Sequence, residues 1–139
     1  MSPPVSLVLV HMGGRPCAMR AEHVVEIVPR VRLSEVPNLP PEVLGVVNVR
    51  GRVVPVMDVR ARVSGNTSLT PHQHLVIVQA GARHVGLAVD EVIDVRDVAP
   101  EAVESPGALA GGRGGPGVVR IDEDLVLVVA PEDIVHVGA

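Results

Sequence analysis

Between Leu44 and Arg60 the chain reads LGVVNVRGRVVPVMDVR, two apolar runs separated by a charged link. Gly45 to Val49 is nearly all β-branched, and Val53 to Met57 is apolar at adjacent positions as well. Branched side chains suit strands, and a strand without polar alternation is one buried on both faces. The link Val49-Arg50-Gly51-Arg52 reverses the chain, with Gly51 free to adopt positive φ. The segment is therefore predicted to be a dry hairpin with arginines at its tip and Asp58 at its exit.

The same patterning occurs twice. Slid by 68 residues, SLVLVHMGGRPCAMRAEHVVEIV falls on HLVIVQAGARHVGLAVDEVIDVR without a gap, so that Leu7 meets Leu75 and Val24 meets Val92. A second match, GVVNVRGRVVPVMDV on GVVRIDEDLVLVVAP, has an offset of 72. Two similar halves are expected, about residues 1–70 and 71–139, because a repeat normally reuses one supersecondary unit. Each half predicts a strand (6–12; 75–80), a glycine turn, a second strand (15–19; 83–89), a short acidic step, a third strand (24–31; 92–98) and a closing hairpin. Helix is confined to single turns at 40–43, 59–63 and 131–135. Five short strands per half with frequent turns predict an all-β fold of two small five-stranded barrels packed together. Residues 64–71 read as a polar linker, and 105–117 as a glycine-rich, mobile loop.

Composition narrows the function classes. At 139 residues and 47% apolar content the chain suits one globular domain. No apolar run is long enough to span a bilayer and no signal peptide is evident, so a cytoplasmic protein without direct membrane insertion is expected. A net charge of −4 and the absence of any Phe, Tyr or Trp argue against a nucleic-acid partner. All twelve basic residues are Arg, and 32 residues are Val, so the core must be built from small branched side chains.

Candidate chemistry is sparse. Glu22 and Glu26 recur as Asp90 and Asp94 at the repeat offset; without a nucleophile, metal ligand or phosphate loop, such pairs read as strand ends and turns. His72 and His74 share a strand face but lack a third ligand, so no metal is expected. His11, His23, His84 and His136 read as surface or strand-end residues. Cys17 lies in an apolar strand and reads as a buried small hydrophobe. GGRGGPG lacks the Lys-Ser/Thr of a phosphate loop. Arg52 reads as a solubilising tip residue, and Arg60 as a partner of Asp58 or a cap on the following turn.

The hairpin carries a more specific signal. Leu44, Gly45, Asn48, Arg50, Gly51, Pro55, Asp58 and Arg60 fit the pattern L-G-x-x-N-x-R-G-x-x-x-P-x-x-D-x-R. In this the chain resembles the CheW-like family, the bacterial chemotaxis coupling proteins, and the resemblance extends from the first strand to Ile134. It implies two SH3-like barrels and a non-enzymatic adaptor without cofactor. The implied partners are the regulatory domain of a CheA-type histidine kinase and the cytoplasmic tip of chemoreceptors, at membrane-associated arrays. One barrel would add to the kinase domain, and the groove between barrels would take the receptor hairpin. Family partner positions fall on Val24, Glu26, Gly45, Arg50, Leu75 and Val95. The output could be chemotaxis, gliding motility or development. Two alternatives stay open: a freestanding kinase regulatory domain, and a small β-barrel enzyme using Cys17 with a histidine.

Overall fold

Antiparallel pairing of apolar runs builds most of the molecule. The computed structural model describes residues 2–105 and 117–135. In chain order the elements are β1 (Val5–Met12), β2 (Arg15–Arg20), a 3-10 turn (Ala21–His23), β3 (Val24–Pro29), β4 (Val43–Val49), β5 (Arg52–Met57) and α1 (Arg60–Ser64). They continue with β6 (His74–Ala80), β7 (Arg83–Val89), β8 (Glu91–Val98), a 3-10 turn (Pro100–Ala102), β9 (Gly117–Ile121), β10 (Asp124–Val128) and α2 (Pro131–Ile134). The helical turn expected at 40–43 is instead a hydrogen-bonded reversal, Val43 N–H donating to Pro40 O. β3 stops at Pro29, short of the expected Val31. Most of the glycine-rich loop, residues 106–116, and His136 lie outside the described residues.

The strands form two five-stranded sheets, ordered β8-β1-β2-β10-β9 (sheet A) and β3-β6-β7-β5-β4 (sheet B). Here the structure departs from the expected halves. Sheet A takes β1 and β2 from the first half and three strands from the second; sheet B does the reverse. The 3-10 turn Ala21–His23 carries the chain across from β2 in one sheet to β3 in the other. Each barrel is therefore interleaved, and neither is a contiguous half.

The repeat itself is reproduced residue by residue in the pairing. Leu9 lies between Ala18 and Asp94, and its counterpart Ile77 lies between Gly86 and Glu26. Val128 runs parallel to Ala18 as Val56 runs parallel to Gly86. Even the irregularity recurs, with a bulge at Val25 in β3 and at Ile93 in β8. Each sheet curls until its ends meet: Glu26 on β3 bonds Arg50 at the β4–β5 tip, and Arg96 on β8 reaches Asp122 at the β9–β10 tip.

Three apolar clusters follow from the strands' two faces. Leu7, Ala18, Val119, Ile121, Val126 and Val128 fill barrel A. Val54, Val56, Leu75, Ile77 and Ala88 fill barrel B. The alternate positions of the same strands, among them Val8, Val10, Val76, Val78 and Leu87, meet between the barrels with Met12, Met19 and Met57. Residues 7 to 10 and 75 to 78 thus send side chains in both directions, which is why they show no polar alternation.

A second junction is ionic. Arg60 is the one buried charged residue among those described. Its guanidinium bonds both oxygens of Asp58 (2.9 and 2.8 Å), Asp90 Oδ1 (2.7 Å) and Thr70 O (2.7 Å). Asp58 also accepts the Arg60 N–H at 3.1 Å; of the two roles expected for Arg60 the pairing with Asp58 holds, whereas Arg60 is itself the first residue of α1 and its side chain does not cap the helix. Asp90 in turn accepts from Gly14 N–H at 2.7 Å. Three segments bond one cation directly and a fourth is tied in through Asp90, and the charge is offset on the spot, as burial requires.

Candidate functional site

The β4–β5 tip is a two-residue reversal. Val49 pairs with Arg52, leaving Arg50 (φ 53°) and Gly51 (φ 82°) both in the left-handed region, and Asn48 Oδ1 accepts the Gly51 N–H at 2.9 Å. This is the turn that matches strand twist, and it normally favours Asn or Gly at the first central position. An arginine there accepts a local conformational cost. The tip holds it by a charged bond, Arg50 Nε to Glu26 Oε1 at 2.7 Å, while the side chain stays 82% exposed. The bond raises the already high arginine pKa, so Arg50 is a permanent cation. Beside it, Arg52 contacts the His84 ring at 3.0 Å.

The six expected partner positions separate on this frame. Glu26 and Arg50 come together at the seam of barrel B. Val95 is exposed but lies on β8 in barrel A, at the repeat position of Ile27. Val24 is half-buried against the inter-barrel core. Gly45 is buried at a bulge with φ 152°; a Cβ would sit 2.5 Å from Ser34 O, whose strand-like bridge to Val46 closes that edge. Its requirement for glycine is internal. Leu75 needs correcting outright: it is fully buried inside barrel B and offers a partner no surface.

The other singled-out residues are structural. Cys17 is wholly buried, and burial pushes its thiol up to about 11, which leaves no thiolate nucleophile for the enzyme reading. His74 Nδ1 accepts the Val92 N–H at 3.1 Å. Asp94 is held below the usual carboxylate range by Arg96 and by the Val95 N–H.

Of the exposed apolar residues, sequence reasoning singled out Val95 alone. Val25, Ile27 and Val53 stand out from barrel B, and Ile93, Val95 and Leu125 from the equivalent positions of barrel A. Offsets of 68 and 72 map one trio onto the other, so the signal lay in the repeat. The same offsets put Asp94 at the place of Glu26 and Asp122 at the place of Arg50. Asp122 shares the tip geometry with φ 56°. In barrel A a cavity of about 140 Å³ opens between β8 and the β9–β10 tip, lined by Ile93, Asp94, Arg96, Asp122 and Asp124 among others. A third feature, apolar and about 250 Å³, lies where the barrels join, between Val63 of α1 and Leu127, Val129, Ala130 and Ile134.

Two interleaved barrels with a hairpin bearing Arg50 over Glu26 can be set beside known proteins. The family described as the CheW-like domain matches residues 6–138. This chain belongs to the CheW-like domain family. A probable chemotaxis protein CheW of Rhizobium etli is 27% identical over 130 residues, covering 91% of this chain and 84% of that protein. The chemotaxis protein CheW of Rhizobium meliloti is 32% identical over 99 residues, covering 70% of this chain and 64% of that protein. The crystal structure of the scaffolding protein TtCheW from Thermoanaerobacter tengcongensis superposes with a TM-score of 0.82, covering 99% of this CheW-like chain and 92% of that one at 21% identity, which speaks for the fold.

Proposed function

We propose that this CheW-like chain is a signalling adaptor that holds a CheA-type histidine kinase and the cytoplasmic tip of a chemoreceptor in one assembly. The match across residues 6–138 carries the reading. The surface chemistry supports it. The exposed features named above are apolar seats with charged rims, suited to transient recognition. Cys17, the residue on which an enzymatic reading rested, is sealed in the core. In this reading the Arg50–Glu26 tip contacts the receptor, and the groove near Val63 and Ile134 takes its apolar side chains. The exposed β8 face, with Val95, is assigned to the kinase's regulatory domain. The adaptor works without cofactor, in the cytoplasm, recruited to receptors rather than inserted in the membrane; no helix of the described residues is long and apolar enough to cross one.

Arg50→Glu tests the assignment. Arg50 is exposed and its loss uncovers no apolar surface, so the melting temperature should stay nearly unchanged. Receptor affinity should fall by about 1–3 kcal/mol as an acidic partner group loses its cation, and kinase binding should persist. Separate receptor and kinase pull-downs beside a melting curve decide it. Undiminished receptor binding removes Arg50 from the site; equal loss of both partners merges the two surfaces.

A further inference from the structure

The linker between the halves is tied to both barrels and carries a histidine whose inner nitrogen bonds nothing. Thr70 O accepts from Arg60 at 2.7 Å, and the Gln73 N–H donates to Val89 O and Asp90 O at the β7–β8 turn. Gln73 O accepts from the Arg30 N–H at 3.0 Å, just beyond β3. Further back the linker reaches barrel A, where Asn66 Nδ2 donates to Gly13 O at 3.1 Å. These bonds make residues 66–73 a strap laid across the joint. His72 lies within it, and its Nε2 is shut away from water without a hydrogen-bond partner. The charged groups about the ring are Arg60 of α1, Arg30 after β3 and Asp58 after β5, with Asp90 bonded to Arg60 from the β7–β8 turn. Both carboxylates are already engaged. Asp58 holds Arg60 through its two oxygens, and Asp90 divides its oxygens between Arg60 and the Gly14 N–H.

We propose that this strap is a proton-released latch: acid charges His72, and residues 66–73 lift off the Arg60 cluster while both barrels stay folded. With a neutral ring, Nε2 is a bare acceptor near two guanidinium groups. Protonated, it becomes a buried donor and a buried cation at once, beside two arginines and no free carboxylate. The strands cannot yield to it, because their ladders and cores hold them. The strap can, since a few bonds hold it and Pro71 and Gln73 are exposed. Folding favours the neutral ring: burial first, then Arg60 and Arg30, lower its pKa from 6.5. The latch is therefore closed above 6.5 and opens as pH falls through the lowered value. Release takes Thr70 O from Arg60 and Gln73 from the β7–β8 turn, which loosens the ionic junction between the barrels. The latch needs no kinase or receptor, so it stands or falls separately from the adaptor reading.

Native-state hydrogen exchange on the full chain, corrected for the intrinsic effect of pH on exchange, reads the latch amide by amide. Between about pH 7.5 and about pH 5 the Gln73 and Arg30 amides should speed up by about tenfold or more, while those of β1, β6 and β7 stay protected. In His72→Leu, which cannot be charged, the same two amides should stay slow throughout. In Arg30→Glu an anion replaces one of the cations near the ring, so the midpoint of the Gln73 change should move to higher pH. Gln73 and Arg30 amides that stay slow in acid overturn the proposal. So do a speeding that persists in His72→Leu, a midpoint that does not move in Arg30→Glu, and strand amides that speed up together with the strap, which would be global unfolding.

Discussion

Gly45 and Leu75 show how one position can be read as recognition and turn out to be packing. Both sit in apolar strands beside a fixed motif, and nothing in composition distinguishes a glycine kept for a partner from one kept for the chain itself. The space decides. At Gly45 a Cβ would meet Ser34 O at 2.5 Å in a positive-φ bulge, so any side chain must displace the 30–34 segment or unbend β4. Gly45→Asp should accordingly lower stability, by about 1–3 kcal/mol for a strained non-glycine site, and not simply weaken binding. The readout is a denaturant melt; unchanged stability with lost partner binding would return Gly45 to the interface. Leu75→Ala belongs to the same class, with about 2–5 kcal/mol expected for a truncated core leucine. Arg50 is the converse case, where a left-handed arginine at an exposed tip points to use by a partner.

Elements are joined here by charge as much as by apolar packing. Arg60 ties the end of β5, α1, the linker at Thr70 and the β7–β8 turn, and Asp90 extends the tie to Gly14 between β1 and β2. Burial pushes the Asp90 carboxyl up, but the Gly14 amide and the Arg60 guanidinium more than offset this and hold it below its usual 3.8. Its contribution is therefore complete above 3.8 and is lost as pH falls through the lower folded value. His72 in the linker adds an earlier step. Its Nε2 is buried without a partner, and burial, with Arg60 and Arg30 nearby, lowers its pKa from 6.5. Its neutral form is favoured by folding, so stability should begin to fall as pH drops below 6.5. Melting temperature against pH should show both steps, and His72→Leu should abolish the upper one alone. An upper step that survives in His72→Leu would assign it elsewhere. The strands that carry this network were legible because branched apolar runs and glycine turns are local signals. Which strand pairs with which was not. β1 and β6 have the same pattern, so β3 has two equally good apolar edges, and only the short crossing at Ala21–His23 sends it to β6. The Arg50–Glu26 pair was hidden for the same reason, since 24 residues separate its members along the chain.

At the scale of the whole molecule, interleaving turns an internal repeat into a single cooperative unit. Had each half made its own barrel, the halves would be separable domains joined by a polar linker. Instead each barrel lacks two or three strands until the other half arrives, and the inter-barrel core of Val8, Val10, Val76, Val78 and Met57 is shared equally. Cutting within the linker, between Thr67 and Ser68, severs no strand and leaves Thr70 with the second fragment, where Arg60 can still reach it from the first. Residues 1–67 alone would expose Leu7 and Val54 in sheets missing β8 or β6, and residues 68–139 would expose Leu75 and Val126 likewise. Neither fragment should show a cooperative melt by itself as a monomer. Mixed, they should recover the native circular dichroism spectrum and a single cooperative transition that rises with concentration, as mass action requires for a two-part fold. Fragments that each melt cooperatively as monomers would mean that the halves close into independent barrels, and that the exchange of β3 and β8 between them is not what holds the molecule together.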